Sequence, residues 1–159
     1  MVGACKGMQI LEPEYKNDTV VSSYGKAVEI SKRPVVIGER INPTGKSKFK
    51  QALKDHDMDY ILREAITQQE KGAHILDVNV GLPDINEKQM LERTVTELQS
   101  VTDLPLQIDT SDISAMESAL RLYNGKAMIN SVNGKKESMK SIFPLVKKYG
   151  GLVVALTLD

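Results

Sequence analysis

Carboxylate, amide and hydroxyl side chains follow apolar runs at five points of this chain, and they are the residues best suited to hold a ligand. They are Glu39 and Asn42, Asp77 and Asn79, Asp109 with Thr110 and Ser111, Asn130 and Ser131, and Thr157 and Asp159. A carboxylate buried beside a core needs hydrogen-bond donors. A flat heterocycle with adjacent N–H and NH2 groups meets one carboxylate at two points, as a guanidinium group does. The residue types therefore predict a site for a neutral or donor-rich small molecule.

The five apolar runs must position these side chains. They cover residues 35–42, 73–80, 104–109, 126–130 and 152–156. Such runs are typical of strands buried on both faces of a parallel sheet. Residues two apart on a strand point to the same side, so Asp77 and Asn79 share a face. For any one of these residues taken alone, a loop start or a helix cap is the simpler interpretation. The repetition at five strand ends favours a binding edge.

Four helical patterns separate the runs. Asp57, Asn86 and Asp112 are placed to cap the first three, and glycines follow their ends or those of the fourth. The fourth contains Pro144, which we expect to kink or restart that helix. The lysine-rich stretch 46–54 is expected to be irregular.

The order of elements predicts parallel strands joined by right-handed crossovers. An open doubly wound sheet and the first part of a (β/α)8 barrel both fit this order, and periodicity does not choose between them. In either architecture the polar strand ends lie at the edge where α/β proteins bind ligands. The chain has 159 residues, whereas a whole barrel usually takes roughly 250.

Composition excludes several classes of function. Lys and Arg total 21, as do Asp and Glu, so the formal net charge is zero. That balance argues against nucleic acid as a partner and against a polybasic membrane signal. No apolar run approaches the ~20 residues that span a bilayer, and the polar N-terminus predicts a cytoplasmic protein. A single Cys5 forms no internal disulfide, and we expect no metal in this domain.

Four motifs together resemble one family. They are Ile37-Gly38-Glu39-Arg40-Ile41-Asn42-Pro43-Thr44-Gly45, Leu76-Asp77-Val78-Asn79-Val80-Gly81, Gln107-Ile108-Asp109-Thr110 and Met128-Ile129-Asn130-Ser131. They are similar to the pterin-binding domain of methyltetrahydrofolate methyltransferases of the methionine synthase and corrinoid-protein type. The resemblance covers about residues 35–159. It implies a dihydropteroate synthase-like (β/α)8 TIM barrel, here incomplete at about five parallel strands, preceded by a leader or interdomain linker over residues 1–34.

The resemblance also implies roles for the strand-end residues. Asp109 and Asn130 would bond the pterin ring, with Ser131 beside them. Glu39 and Asn42 would line the same pocket, and Asp77 and Asn79 would form its floor or bond the ring. The substrate would be methyltetrahydrofolate, whose N5 methyl passes to a Co(I) corrinoid (cobalamin) on a partner domain or protein. No catalytic residue is assigned.

Two alternatives remain. One is a dihydropteroate synthase-like enzyme; the other is a non-catalytic fragment that forms homo-oligomers through exposed sheet edges. A further pterin-binding Asp and an Asn near N5, which the family carries on later strands, fall outside this chain. We therefore expect the fragment to be inactive alone.

Overall fold

A five-stranded parallel sheet forms the centre of the molecule. The computed structural model describes Gly7 and residues 18–157. The strands are β1 (Val20–Ser22), β2 (Ala27–Glu29), β3 (Ile37–Ile41), β4 (Ile75–Val78), β5 (Leu106–Asp109), β6 (Met128–Val132) and β7 (Leu152–Ala155). The sheet order is β3-β4-β5-β6-β7, so each strand lies beside its predecessor in the chain. This order lacks the reversal of a doubly wound sheet and follows the wall of a barrel.

Among the described residues, five helices connect or flank these strands. They are α1 (Ser47–Lys54), α2 (Met58–Glu70), α3 (Glu87–Val101), α4 (Ile113–Leu122) and α5 (Lys136–Tyr149). The three predicted caps are confirmed, since the side chains of Asp57, Asn86 and Asp112 accept backbone N–H groups at the starts of α2, α3 and α4. Gly150 ends α5 in the left-handed conformation, as a C-terminal glycine commonly does.

The expectation of an irregular lysine-rich stretch was wrong. Helix α1 forms there because Phe49, Ala52 and Leu53 share one side and are buried, which gives the three- and four-residue spacing of an amphipathic helix. The lysines occupy the opposite side and conceal that pattern.

Pro144 interrupts α5 less than expected. The helix runs from Lys136 to Tyr149 with Pro144 inside it. Pro144 removes the amide that would bond the carbonyl of Lys140. Both residues are exposed, so water can replace that bond.

The core has a large layer between helices and sheet and a smaller cluster on the other face. Leu76, Val78 and Ile108 pack toward the helices. On the opposite face, Val21 and Val28 of the antiparallel β1–β2 hairpin pack with Ile75 and Met128. The hairpin therefore covers the amino ends of the central strands. Within the described part of the chain, no helix has the length and apolar character needed to cross a bilayer.

The hairpin is attached to the sheet by polar contacts as well. The hydroxyl of Tyr123 accepts from Leu106 N at 3.0 Å and donates to Ser22 O at 2.9 Å. Ser22 N donates to Lys126 O at 2.9 Å. Gly125 lies so close to the Ser22 carbonyl that an added Cβ would overlap it. The hairpin therefore closes this end of the molecule and leaves the carboxyl ends of the strands uncovered.

Candidate functional site

Strand register places the predicted site residues side by side. Asp77 of β4 pairs with Gln107 of β5, and Asp109 of β5 pairs with Asn130 of β6. These residues alternate with Leu76, Val78 and Ile108, which pack against the helices, so they project from the opposite face of the sheet. The face that the hairpin covers at one end therefore carries a polar row at the other.

Asn79 holds Asp109 in place. Its Nδ2 donates to Asp109 Oδ2 at 2.9 Å, and its Oδ1 accepts from Gly81 N at 2.9 Å. The backbone contact fixes which end of the amide faces the carboxylate. Asp109 is half-buried, so the amide orients a carboxylate that a ligand can still reach.

Asp77 is the most enclosed charged residue of the site. Its side chain is buried at 0% exposure, and Oδ1 accepts from Gln107 Nε2 at 2.5 Å. Asp77 Oδ2 and Gln107 Oε1 are also buried, and neither has a hydrogen-bond partner among the described residues. Two acceptor atoms thus lie in the interior without a donor, an arrangement that is costly.

Burial raises the pKa of both aspartates. The pKa of Asp77 rises to about 6, chiefly because burial disfavours the charged form. The negative charges of Asp109 and Glu39 act in the same direction, while the amides of Gln107 and Asn42 oppose it. Burial also raises the pKa of Asp109, against the opposing hydrogen bond from Asn79. The site is therefore crowded with carboxyl groups and favours neutral or donor-rich partners.

Glu39 and Asn42 reach the same group from the neighbouring strand. Glu39 is exposed and acts on both aspartates through its charge. Asn42 Oδ1 accepts from Thr44 N at 2.9 Å, which leaves its amide nitrogen for Asp77 or a ligand. Their proximity to Asp77 agrees with the predicted grouping, but neither residue lines the two cavities at this edge.

Two cavities open beside the polar row. One, of about 580 Å³, is lined by Thr44, Asn79, Gly81, Leu82, Pro83, Ile85, Glu87, Thr110, Ser111 and Asp112. The other, of about 430 Å³, includes Asp109, Asn130 and Ser131 together with Thr110 and Ser111. Thr110 and Ser111 therefore separate two halves of one groove that crosses the ends of the central strands. Asp77 lies beneath this groove, outside both linings.

Two residues of the site were missed by sequence reasoning. Gln107 lies within an apolar run, where a polar residue is itself a signal of a buried contact. Glu87 follows the cap Asn86 and accepts from the Thr110 hydroxyl, so it supports the boundary between the cavities. An acidic residue in the first turn of a helix is already explained by the helix dipole, so its position gave no sign of this contact.

The side chains at the carboxyl edge of the sheet suit an organic ligand. Within residues 18–157, no cluster of three or more His, Cys, Asp or Glu side chains is arranged to hold a metal ion. His56 is exposed, and His74 accepts from Val36 N at 3.0 Å near the start of β4. The polar groups at the carboxyl edge are amides, hydroxyls and carboxylates, which match a heterocycle with several N–H donors.

Comparison with known proteins identifies the family. Residues 38–159 match the family of pterin binding enzymes. The chain belongs to that family. Within it, the chain is 33% identical over 146 residues to the methionine synthase of Mycobacterium leprae and 31% identical over 130 residues to that of Mycobacterium tuberculosis. The matches cover 87% and 79% of this chain, but only 12% and 11% of those proteins.

Solved structures support the barrel architecture. Dihydropteroate synthase from Yersinia pestis, with a pterine-sulfa conjugate, superposes with a TM-score of 0.60 at 19% identity. The enzyme from Xanthomonas albilineans, with 4-aminobenzoic acid, gives 0.59 at 19% identity. These matches cover 89% and 87% of this chain and 50% of each solved chain. The fold is a partial (β/α)8 barrel, which settles the choice between the two predicted architectures.

Proposed function

We propose that this pterin-binding chain is the folate-binding part of a methyltransferase that transfers the N5 methyl of methyltetrahydrofolate to a Co(I) corrinoid. The proposal is carried by the carboxylate of Asp109, held by Asn79 and paired in register with Asn130. The similarity to methionine synthases supports the reaction class. Since the chain spans about a ninth of those proteins, the activity belongs to the larger assembly in which such a domain works.

Asp109 and Asn130 would hold the pterin ring. The carboxylate of Asp109 accepts two adjacent N–H donors of the ring, while the amide of Asn130 bonds a neighbouring edge. Ser131 lines the same cavity. Asn79 orients Asp109, and Asp77 lies beneath as the floor of the pocket. Glu39 and Asn42 close the side nearest β3.

The chemistry at N5 depends on charge. N5 is a poor leaving group unless it is protonated or strongly hydrogen-bonded as the methyl departs. A corrinoid on a partner domain or protein supplies the nucleophile. This domain's share is to bind and orient the ring and to surround it with acidic groups that favour positive charge at N5.

Titration calorimetry with methyltetrahydrofolate tests the site. We expect Asp109→Asn, which keeps the side chain's size and removes its charge, to weaken binding by ten- to a hundredfold, since charge-assisted hydrogen bonds contribute about 1.5–3 kcal/mol. Asp59→Asn, a change on the exposed face of α2, should leave binding unchanged. Equal affinity of the wild-type protein and Asp109→Asn would refute the assignment.

The proposed function comes with a division of the chain, a location in the cell and an alternative activity. Residues 1–34 are the leader or interdomain linker and residues 35–159 the barrel domain, working in the cytoplasm. A dihydropteroate synthase-like activity is the alternative, and an assay with p-aminobenzoate and the pterin diphosphate separates the two. We expect no pteroate product, and its formation would replace the methyltransferase proposal.

A further inference from the structure

Within the described part of the chain, the Asp77–Gln107 pair has one hydrogen bond and two buried acceptor atoms without a donor. Gln107 Nε2 donates to Asp77 Oδ1, whereas Asp77 Oδ2 and Gln107 Oε1 have no partner within hydrogen-bond distance among the described residues. The amide of Asn42 has the smallest of the influences on the pKa of Asp77. The two residues are direct neighbours across β4 and β5. A carboxamide and a carboxylic acid can pair at two points, N–H to C=O and O–H to C=O. One proton on Asp77 Oδ2 supplies the missing donor and gives Gln107 Oε1 its partner.

The charges around Asp77 favour that proton. Asp109 on β5 and Glu39 on β3 are the charged groups that act on it most strongly, and both are acidic. The remaining neighbours, Gln107 and Asn42, are uncharged amides. An ionised Asp77 would lie in the interior beside two other carboxylates, and none of the described groups that act on it is a cation, which makes its charge costly.

We propose that Asp77 is a positioning residue that works as a neutral carboxylic acid bonded to Gln107, and that this state keeps Asp109 ionised for the pterin ring. The second half rests on the function proposed above. If Asp77 ionises, its negative charge repels that of Asp109. The Asp109 carboxylate, which the ring's N–H donors need as an acceptor, then takes up a proton or moves away. Because the binding-competent state holds Asp77 neutral, a protein molecule whose Asp77 is ionised at neutral pH takes up one proton from solvent at that residue when the ligand binds.

Infrared difference spectroscopy tests the first half without any ligand. At pH 5 the wild-type protein should show the carbonyl band of a protonated carboxyl group that is absent from Asp77→Asn. Asp84→Asn is the matched control, since the hydrogen bond and charge of Lys54 lower the pKa of Asp84, and its replacement should remove no such band. A wild-type spectrum identical to that of Asp77→Asn in this region would overturn the proposal.

Gln107→Leu provides a second measurement that keeps Asp77 in place. The hydroxyl of Asp77 then loses its acceptor, so the same band should shift in frequency. An unshifted band would show that Gln107 does not accept the proton. This variant decides the question even where Asp77→Asn fails to fold.

The pH dependence of methyltetrahydrofolate affinity tests the second half. Asp77→Asn can still pair with Gln107 at two points, so its affinity should stay near the wild-type value at pH 5. Above pH 6 the wild-type affinity should fall relative to the variant by up to about tenfold per pH unit, as one linked proton requires. The ratio of the wild-type affinity to the Asp77→Asn affinity cancels the ligand's own titration. A ratio that does not change with pH would refute the linkage between Asp77 protonation and binding. A wild-type protein that binds no methyltetrahydrofolate at any pH would refute the proposed function. The carboxyl band would still decide the protonation state of Asp77.

Discussion

A buried aspartate with a raised pKa makes stability depend on pH in an unusual direction. The ordinary pKa of the group is 3.8, and in the folded protein it rises to about 6. Between these values the folded chain binds more protons than the unfolded chain, so the free energy of unfolding falls as pH rises. Most paired surface carboxylates act in the opposite direction, because their pKa values are lowered by folding.

We therefore expect wild-type stability to fall relative to Asp77→Asn as the pH rises from 4 to 7. The contribution of Asp77 is present below pH 4 and lost as the pH passes through about 6, and its size is on the order of 3 kcal/mol. Urea unfolding of both proteins at several pH values measures it. Asp84→Asn should show the opposite sign, since folding lowers the pKa of Asp84. A constant difference between wild type and Asp77→Asn would contradict the expectation.

Residue types at strand ends predicted which side chains the sheet brings together at one edge, but not how those side chains pair. The sequence places Asp77, Asn79 and Asp109 after two strands. Which carboxylate meets which amide depends on the register between β4 and β5, and a shift of one residue would turn each side chain to the other face. The difference between a reachable Asp109 and an enclosed Asp77 follows from that register. It could not be read from the sequence.

At the scale of elements, β-branched runs and capping residues predicted the five sheet strands and helices α2 to α5. Helix α1 was missed because Lys46, Lys48 and Lys50 obscured the apolar side formed by Phe49, Ala52 and Leu53. The segment before residue 35 was interpreted only as a leader or interdomain linker, yet its residues 20–29 include strands β1 and β2. Their pairing into a hairpin depends on contacts with Ile75 and Met128, which are far away in the chain.

Tyr123→Phe tests how strongly the hairpin is joined to the sheet. The change removes the hydroxyl that accepts from Leu106 N and donates to Ser22 O. Two backbone groups then lose a partner in a buried place, so we expect a loss of about 1–3 kcal/mol, measured by thermal or urea unfolding. Tyr24→Phe alters a hydroxyl on an exposed residue of the same hairpin and should cost less than about 0.5 kcal/mol. Equal effects of the two changes would mean that Tyr123 does not join the two elements.

On the scale of the whole molecule, the described sheet has two edges. Strands β3 and β7 lie at its ends, and no further described strand pairs with either. Val36 beside β3 and Leu156 beside β7 are exposed apolar residues. Unpaired strand edges with apolar side chains favour association with another chain. The homo-oligomer predicted from the sequence stays a prediction, and these two edges are where we expect such an association.

Ala155→Pro tests whether β7 is that place. Leu152 N and Leu156 N donate to Ala127 O and Val132 O of the sheet, so by alternation the N–H of Ala155 points outward. Proline removes this outward donor and spares the bonds to β6. We expect self-association by sedimentation velocity, weakened at least about fivefold by Ala155→Pro and unchanged by Ala155→Ser, which keeps the N–H. A wild-type chain that stays monomeric at all concentrations would show that the edges do not associate. An equal effect of both substitutions would place the contact away from the β7 backbone.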